Sequence, residues 1–243
     1  MATPSNTSHS NNLASYNSLI KAIKEFGKTY NPPKPILTVV SMESQYETGA
    51  EVISRIQAAE ASCRDVMVLR SNLFGNLDSF AQRVVGLYSI TCSDPKSAES
   101  IKMILRNMRG RSVAKKAVAA AAVDENVRTR SNSQLGFEDK SSNFAQIASF
   151  VESSTTYVAN EADLSKEAIR KYSDDLKLAN NNLQVAEAAL ETARIDRDRI
   201  LYTNEDSLYN VFREVKTYVK SAYGSSSAEF KRISGLEFRN YSK

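Results

Sequence analysis

Between Ile169 and Ala193 the chain reads IRKYSDDLKLANNNLQVAEAALETA, and two lines of residues run through it at heptad spacing. Ile169, Leu176, Leu183 and Leu190 fall seven apart, and Tyr172, Ala179, Ala186 and Ala193 fall seven apart between them. The combined 3-4-3-4 spacing is the seam of a long helix that buries one narrow stripe against partner helices. Bulky residues on one line and mostly alanine on the other predict close approach of the partner. Lys171, Asp174, Asp175, Lys177, Asn181 and Gln184 form the opposite, solvated face. A strand-and-turn fold cannot use this pattern. The low content of breakers agrees, with 8 Gly and 5 Pro in 243 residues.

A second seam precedes the first: Val52, Ile56, Ala59, Cys63 and Val66 follow a 4-3-4-3 spacing. Residues 1–9 are rich in Ser, Asn and Thr and are expected to form a mobile tail. A helix is predicted from Ser10 to Tyr30 on the spacing of Leu13, Tyr16, Ile20, Ile23 and Phe26, until Asn31-Pro32-Pro33-Lys34-Pro35 forces a break. The next proline-free run extends to about Ile90; Gly49 and Gly75 weaken it, and Gly75-Asn76 is a kink or an end. Asp94-Pro95 reads as N-cap and first residue of a short helix reaching about Met108. Residues 109–140 begin basic, pass through the run Ala119–Ala122 and end in Ser, Asn and Gly, the composition of a partly helical connector. Helices are then predicted over 141–157 and 162–202. The next, capped by Thr203 or Asn204, ends at Tyr223, where Gly224-Ser225-Ser226 stops it. A last short helix starts near Ser227.

The halves match each other in order. Tyr30 and Leu37 correspond to Tyr157 and Leu164, and Ala59-Glu60-Ala61 to Ala186-Glu187-Ala188. The run from Leu73 to Phe80 corresponds to that from Leu201 to Leu208. Arg83, Val85 and Tyr88 correspond to Arg213, Val215 and Tyr218, and Ser97-Ala98-Glu99 to Ser227-Ala228-Glu229. Matches in register with a small one-way drift point to a duplication. The expected fold is all-α. It is a long antiparallel helical bundle of two tandem, pseudo-two-fold-related repeats, 10–108 and 141–243, preceded by the tail 1–9, joined by the connector 109–140 and packed as one composite bundle. The second half carries Asn160-Glu161-Ala162-Asp163-Leu164, the Leu201-Tyr202 break, Val215-Lys216-Thr217-Tyr218-Val219-Lys220-Ser221, and Gly224 followed by Ser227 and Glu229-Phe230-Lys231. In these it resembles a group of uncharacterised bacterial all-helical proteins. The resemblance implies the same helical fold and no particular activity.

The composition of chemistry-bearing residues argues against most enzymes. Histidine occurs once, at His9, inside the expected tail, and neither a zinc cluster nor a phosphate-binding glycine loop is spelled out. No catalytic, cofactor-binding or metal-binding residues are expected. Cys63 falls on the seam and reads as a small buried hydrophobe rather than a reactive thiol. Arg70 and Arg197 correspond and continue the seam where it should be apolar; they bind an anion, or they snorkel and pair with nearby aspartates. The balance of 32 Lys and Arg against 28 Asp and Glu is too mild to imply a polyanion partner by itself. A basic stretch over 102–130 nevertheless offers anion or nucleic-acid contacts at Arg106, Arg109, Arg111, Lys115 and Lys116.

The favoured function is a non-enzymatic structural or scaffold protein whose partner is itself, as an oligomer or filament. Val215, Tyr218, Val219 and Tyr223 are the expected self-association face. Electrostatic nucleic-acid binding through 102–130 is the alternative. The start of the chain has neither a basic nor an apolar signal region, and no run is long and apolar enough to span a membrane, so a cytoplasmic location is expected.

Overall fold

The computed structural model of the chain describes residues 6–110 and 135–241, and among these it is all-α, with no strand. The helices are α1 (Asn6–Phe26), α2 (Val39–Gly75), α3 (Leu77–Thr91), α4 (Pro95–Met108), α5 (Phe137–Ser153), α6 (Lys166–Asp198), α7 (Leu208–Tyr223) and α8 (Ala228–Ser234). No helix among the described residues is long and apolar enough to cross a membrane.

Local signals in the sequence set most boundaries. Asp94 caps α4 by accepting from the backbone N–H of Lys96 and Ser97, with Pro95 in the first turn. Asn76 separates α2 from α3, so the long run ends at Gly75. Gly224 closes α7 at φ 91°, a conformation that side-chain-bearing residues rarely adopt. The cap of α7 is Ser207, not Thr203 or Asn204, because a π turn over Arg199–Thr203 carries the chain further before the new helix begins. Ser227 caps α8 through Phe230 N–H, whereas Ser97 lies inside α4, so those two serines do not occupy equivalent places.

The mobile tail expected through residue 9 is wrong for residues 6–9. α1 begins at Asn6, and His9 is only 1% exposed. Its polar residues find buried partners, which a composition rule cannot foresee. The connector is also shorter than expected, since α5 starts at Phe137.

The chain forms two compact units that cut across the sequence halves: residues 1–63 with 186–243, and residues 64–185. The expected division into 10–108 and 141–243 therefore does not describe the packing. α2 has 37 residues, about 55 Å at 1.5 Å per residue, and the 21 residues of α1 cannot cover it. Each long helix gives its first part to one unit and its last part to the other.

In unit 1, Tyr16, Leu19, Ile20 and Ile23 of α1 pack with Met42 and Ile53 of α2, Leu201 and Tyr202 of the π turn, and Val211, Phe212, Val215 and Val219 of α7. Gly49 lets these elements close up, for a Cβ there would stand 3.0 Å from Leu13 and 3.1 Å from Leu208. In unit 2, Phe144, Ile147 and Val151 of α5 pack with Val84, Val85 and Tyr88 of α3, Ile101 and Met108 of α4, and Ile169 and Leu176 of α6. The predicted seams hold in part: Ile169, Leu176 and Leu183 are buried, as are Val52, Ile56 and Cys63. Ala59, Val66, Leu190 and the line Tyr172, Ala179, Ala186 and Ala193 are only half-buried, while Ser173 and Asn180 of α6 are buried.

Candidate functional site

A groove in unit 1 lies along α7, beside the proline-rich turn that follows α1. Proline at positions 32, 33 and 35 ends helical hydrogen bonding there. The turn is then pinned from inside: the Tyr30 hydroxyl donates to Leu37 O at 2.7 Å. Tyr218 of α7 meets the Tyr30 ring edge-on, with centroids 5.5 Å apart, and donates its own hydroxyl to Asn31 O at 2.7 Å. Burial, with Tyr218 nearby, pushes the Tyr30 hydroxyl well above the ordinary tyrosine range, so it stays a donor at any physiological pH. Lys34 ties the turn to Glu214 of α7 at 2.9 Å. The remaining space, about 700 Å³, is lined by Pro33, Leu37, Asn210, Arg213 and Thr217 among others. The Arg213 guanidinium stands 5.5 Å from the centre of the Tyr209 ring, and no carboxylate of the described residues lies within ion-pair distance of it.

Unit 2 contains a turn of the same construction. The Tyr157 hydroxyl donates to Leu164 O at 2.9 Å, again seven residues on, and Tyr88 of α3 stacks on Tyr157 at 6.4 Å. Here the tether is Arg83 to Asp163 at 2.6 Å. Their mutual hydrogen bond raises the arginine and holds the Asp163 carboxyl below the usual carboxylate range.

A second polar constellation in unit 1 is buried. Asn12 Nδ2 donates to the Tyr202 hydroxyl at 3.1 Å and to Arg239 O at 2.7 Å, while Asn12 Oδ1 accepts from Arg239 N at 3.0 Å. The Tyr202 hydroxyl is 2.6 Å from His9 Nδ1. With the Asn12 amide donating to it, that hydroxyl donates its hydrogen bond to Nδ1, which places the hydrogen of the neutral imidazole on Nε2. Nε2 is buried and has no hydrogen-bond partner among the described residues. Burial first, and the Arg197 charge second, push His9 down to about 4 against a smaller opposing pull from Asp198. The ring is therefore neutral near pH 7 and behaves as a core residue, not as an acid or base.

The other sequence-predicted residues fall apart spatially. Val215 and Val219 are fully buried in the unit 1 core, Tyr218 is bonded to Asn31 O, and the Tyr223 hydroxyl is 3.0 Å from Thr29 Oγ1. The α7 face expected to drive self-association is thus consumed within the unit, because α1 and α8 pack on it. Arg106 is exposed and Arg109 donates to Gln82 at 3.0 Å; Arg111, Lys115 and Lys116 lie outside the described residues. Arg70 lies over the Phe137 ring at 4.2 Å, and Arg197 bonds Asp198 at 2.8 Å. Cys63 is buried and Cys92 half-buried.

One stripe of residues, of which only Asn181 was named from the sequence as part of the solvated face, was not foreseen. Leu178, Asn181, Val185, Ala188, Thr192 and Ile195 follow a 3-4-3-4-3 spacing along α6, and all are exposed. Leu178 is 56%, Val185 70% and Ile195 60% exposed. The spacing was visible in the sequence. It was masked by the stronger Leu/Ala seam on the same helix and by the charges beside it.

No family model, no curated protein and no solved structure matches the chain.

Proposed function

We propose that this protein is a non-enzymatic structural or scaffold element that associates with further copies of itself through α6. The exposed, uncharged stripe from Leu178 to Ile195 carries the reading. A solvated helix face ordinarily bears charges at such positions, whereas a second heptad seam without one is what a partner helix would cover. Small residues at Ala188 and Thr192 permit close approach, and Asn181 supplies the polar position that fixes register in helix pairing. Met67, Val68 and Leu69 of α2 add exposed apolar surface.

The chain, in this proposal, descends from a duplicated helical unit whose copies exchange segments. The two tyrosine-pinned turns support it: Tyr30 of the first half meets Tyr218 of the second, and Tyr157 of the second meets Tyr88 of the first. Tyr16, Leu19 and Ile23 of α1 also find counterparts, spaced alike, in Phe144, Ile147 and Val151 of α5.

Light scattering after size-exclusion chromatography, across protein concentration, tests the self-association. The unaltered chain is expected to exceed its 26.9 kDa, and Val185→Glu, at an exposed site, to return it to that mass with unchanged helicity. A strictly monomeric unaltered chain at all concentrations would refute the proposal.

A further inference from the structure

The two pinned turns differ in how they are tethered. In unit 2 the residue before the pinned carbonyl is Asp163, and it takes the guanidinium of Arg83, which stands five residues before Tyr88. In unit 1 the corresponding place is Ile36, which packs against the core, and the tether runs with opposite polarity from Lys34 on the turn to Glu214 on the helix. Arg213, five residues before Tyr218, lines the groove with its guanidinium beside the Tyr209 ring, and no carboxylate among the described residues pairs with it.

We propose that this groove binds a short acidic segment of a partner protein, its carboxylate taking at Arg213 the place that Asp163 takes at Arg83. Arginine presents a planar fork that matches a carboxylate, and the Leu37 and Pro33 side of the groove gives the flanking residues an apolar wall. Charge on the rim narrows the choice. Lys34 neutralises Glu214, but Glu205 also lines the groove and repels a second negative group. The fitting ligand carries one carboxylate between uncharged residues, as Asp163 lies between Ala162 and Leu164. This inference is independent of self-association through α6.

The test is fluorescence anisotropy with the full chain and the peptide Ala-Ala-Asp-Leu-Ser, amidated at its C-terminus and carrying a neutral dye at its N-terminus. Saturable, weak binding is expected. It should fall by about tenfold or more with Arg213→Gln, and equally when the peptide aspartate is replaced by asparagine. Arg83→Gln should leave it unchanged. The asparagine peptide uses the unaltered protein, so its result stands even if a variant folds poorly. Absence of saturable binding at millimolar protein, binding indifferent to the peptide carboxylate, or equal loss with Arg83→Gln would each overturn the proposal.

Discussion

His9 shows how far a residue's fate depends on partners remote in the chain. Its ring meets Tyr202, 193 positions away, and no local pattern announces that. Its pKa, pushed down to about 4, gives stability a pH dependence. The unfolded chain holds the proton below the ordinary histidine value of 6.5, while the folded one refuses it until about pH 4. Folding stability should therefore fall as pH drops from 6.5 toward 4, by up to about 3 kcal/mol. Denaturant titrations at a series of pH values measure this, and His9→Phe should flatten that part of the profile. Asp198 and Arg197 sit close enough to bias it in opposite directions. Thiol labelling gives a second check at this scale: Cys92 should react faster than Cys63, whose sulfur sits in the α2 seam. Labelling of Cys63 at the unfolded rate would contradict its buried position.

Helices were the most legible level. The heptad lines placed Ile169, Leu176 and Leu183 inside, and Asp94-Pro95 and Gly224 marked ends that the structure keeps, because caps and breakers act within a few residues of themselves. Leu183→Ala should cost roughly 2–5 kcal/mol in chemical unfolding, as expected for a truncated core leucine. Gly224→Ala should cost roughly 1–3 kcal/mol, since φ 91° with ψ 154° is a region that only glycine occupies comfortably. Gly75→Ala, with open space around its Cβ, should be neutral or mildly stabilising. What the helical pattern could not say was which seam faces which neighbour. Val215 and Val219 read as a surplus apolar face because α1, one of the elements that cover them, is far away in sequence. The Arg213 groove was illegible for the same reason: its walls come from residues 33–37 and from α7.

At the scale of the molecule, a correspondence between the halves was readable in the sequence, but which segments pack together in each unit was not. Spacing repeats do not say whether a helix packs on its own half or on the other. Both units draw on both sides of residues 111–134. Residues 1–110 and 135–243, co-expressed as separate chains, should accordingly co-purify as a folded pair with the far-ultraviolet signal of the parent. Recovery of two separately folded fragments would contradict the interleaving. The two pieces would behave as a bidentate chelate: each grips the other at two places, and release at one leaves the second holding it at high effective concentration. Separation then requires both grips to fail within the same interval, so a nick between residues 110 and 135 should abolish neither mass nor fold until denaturant opens both units.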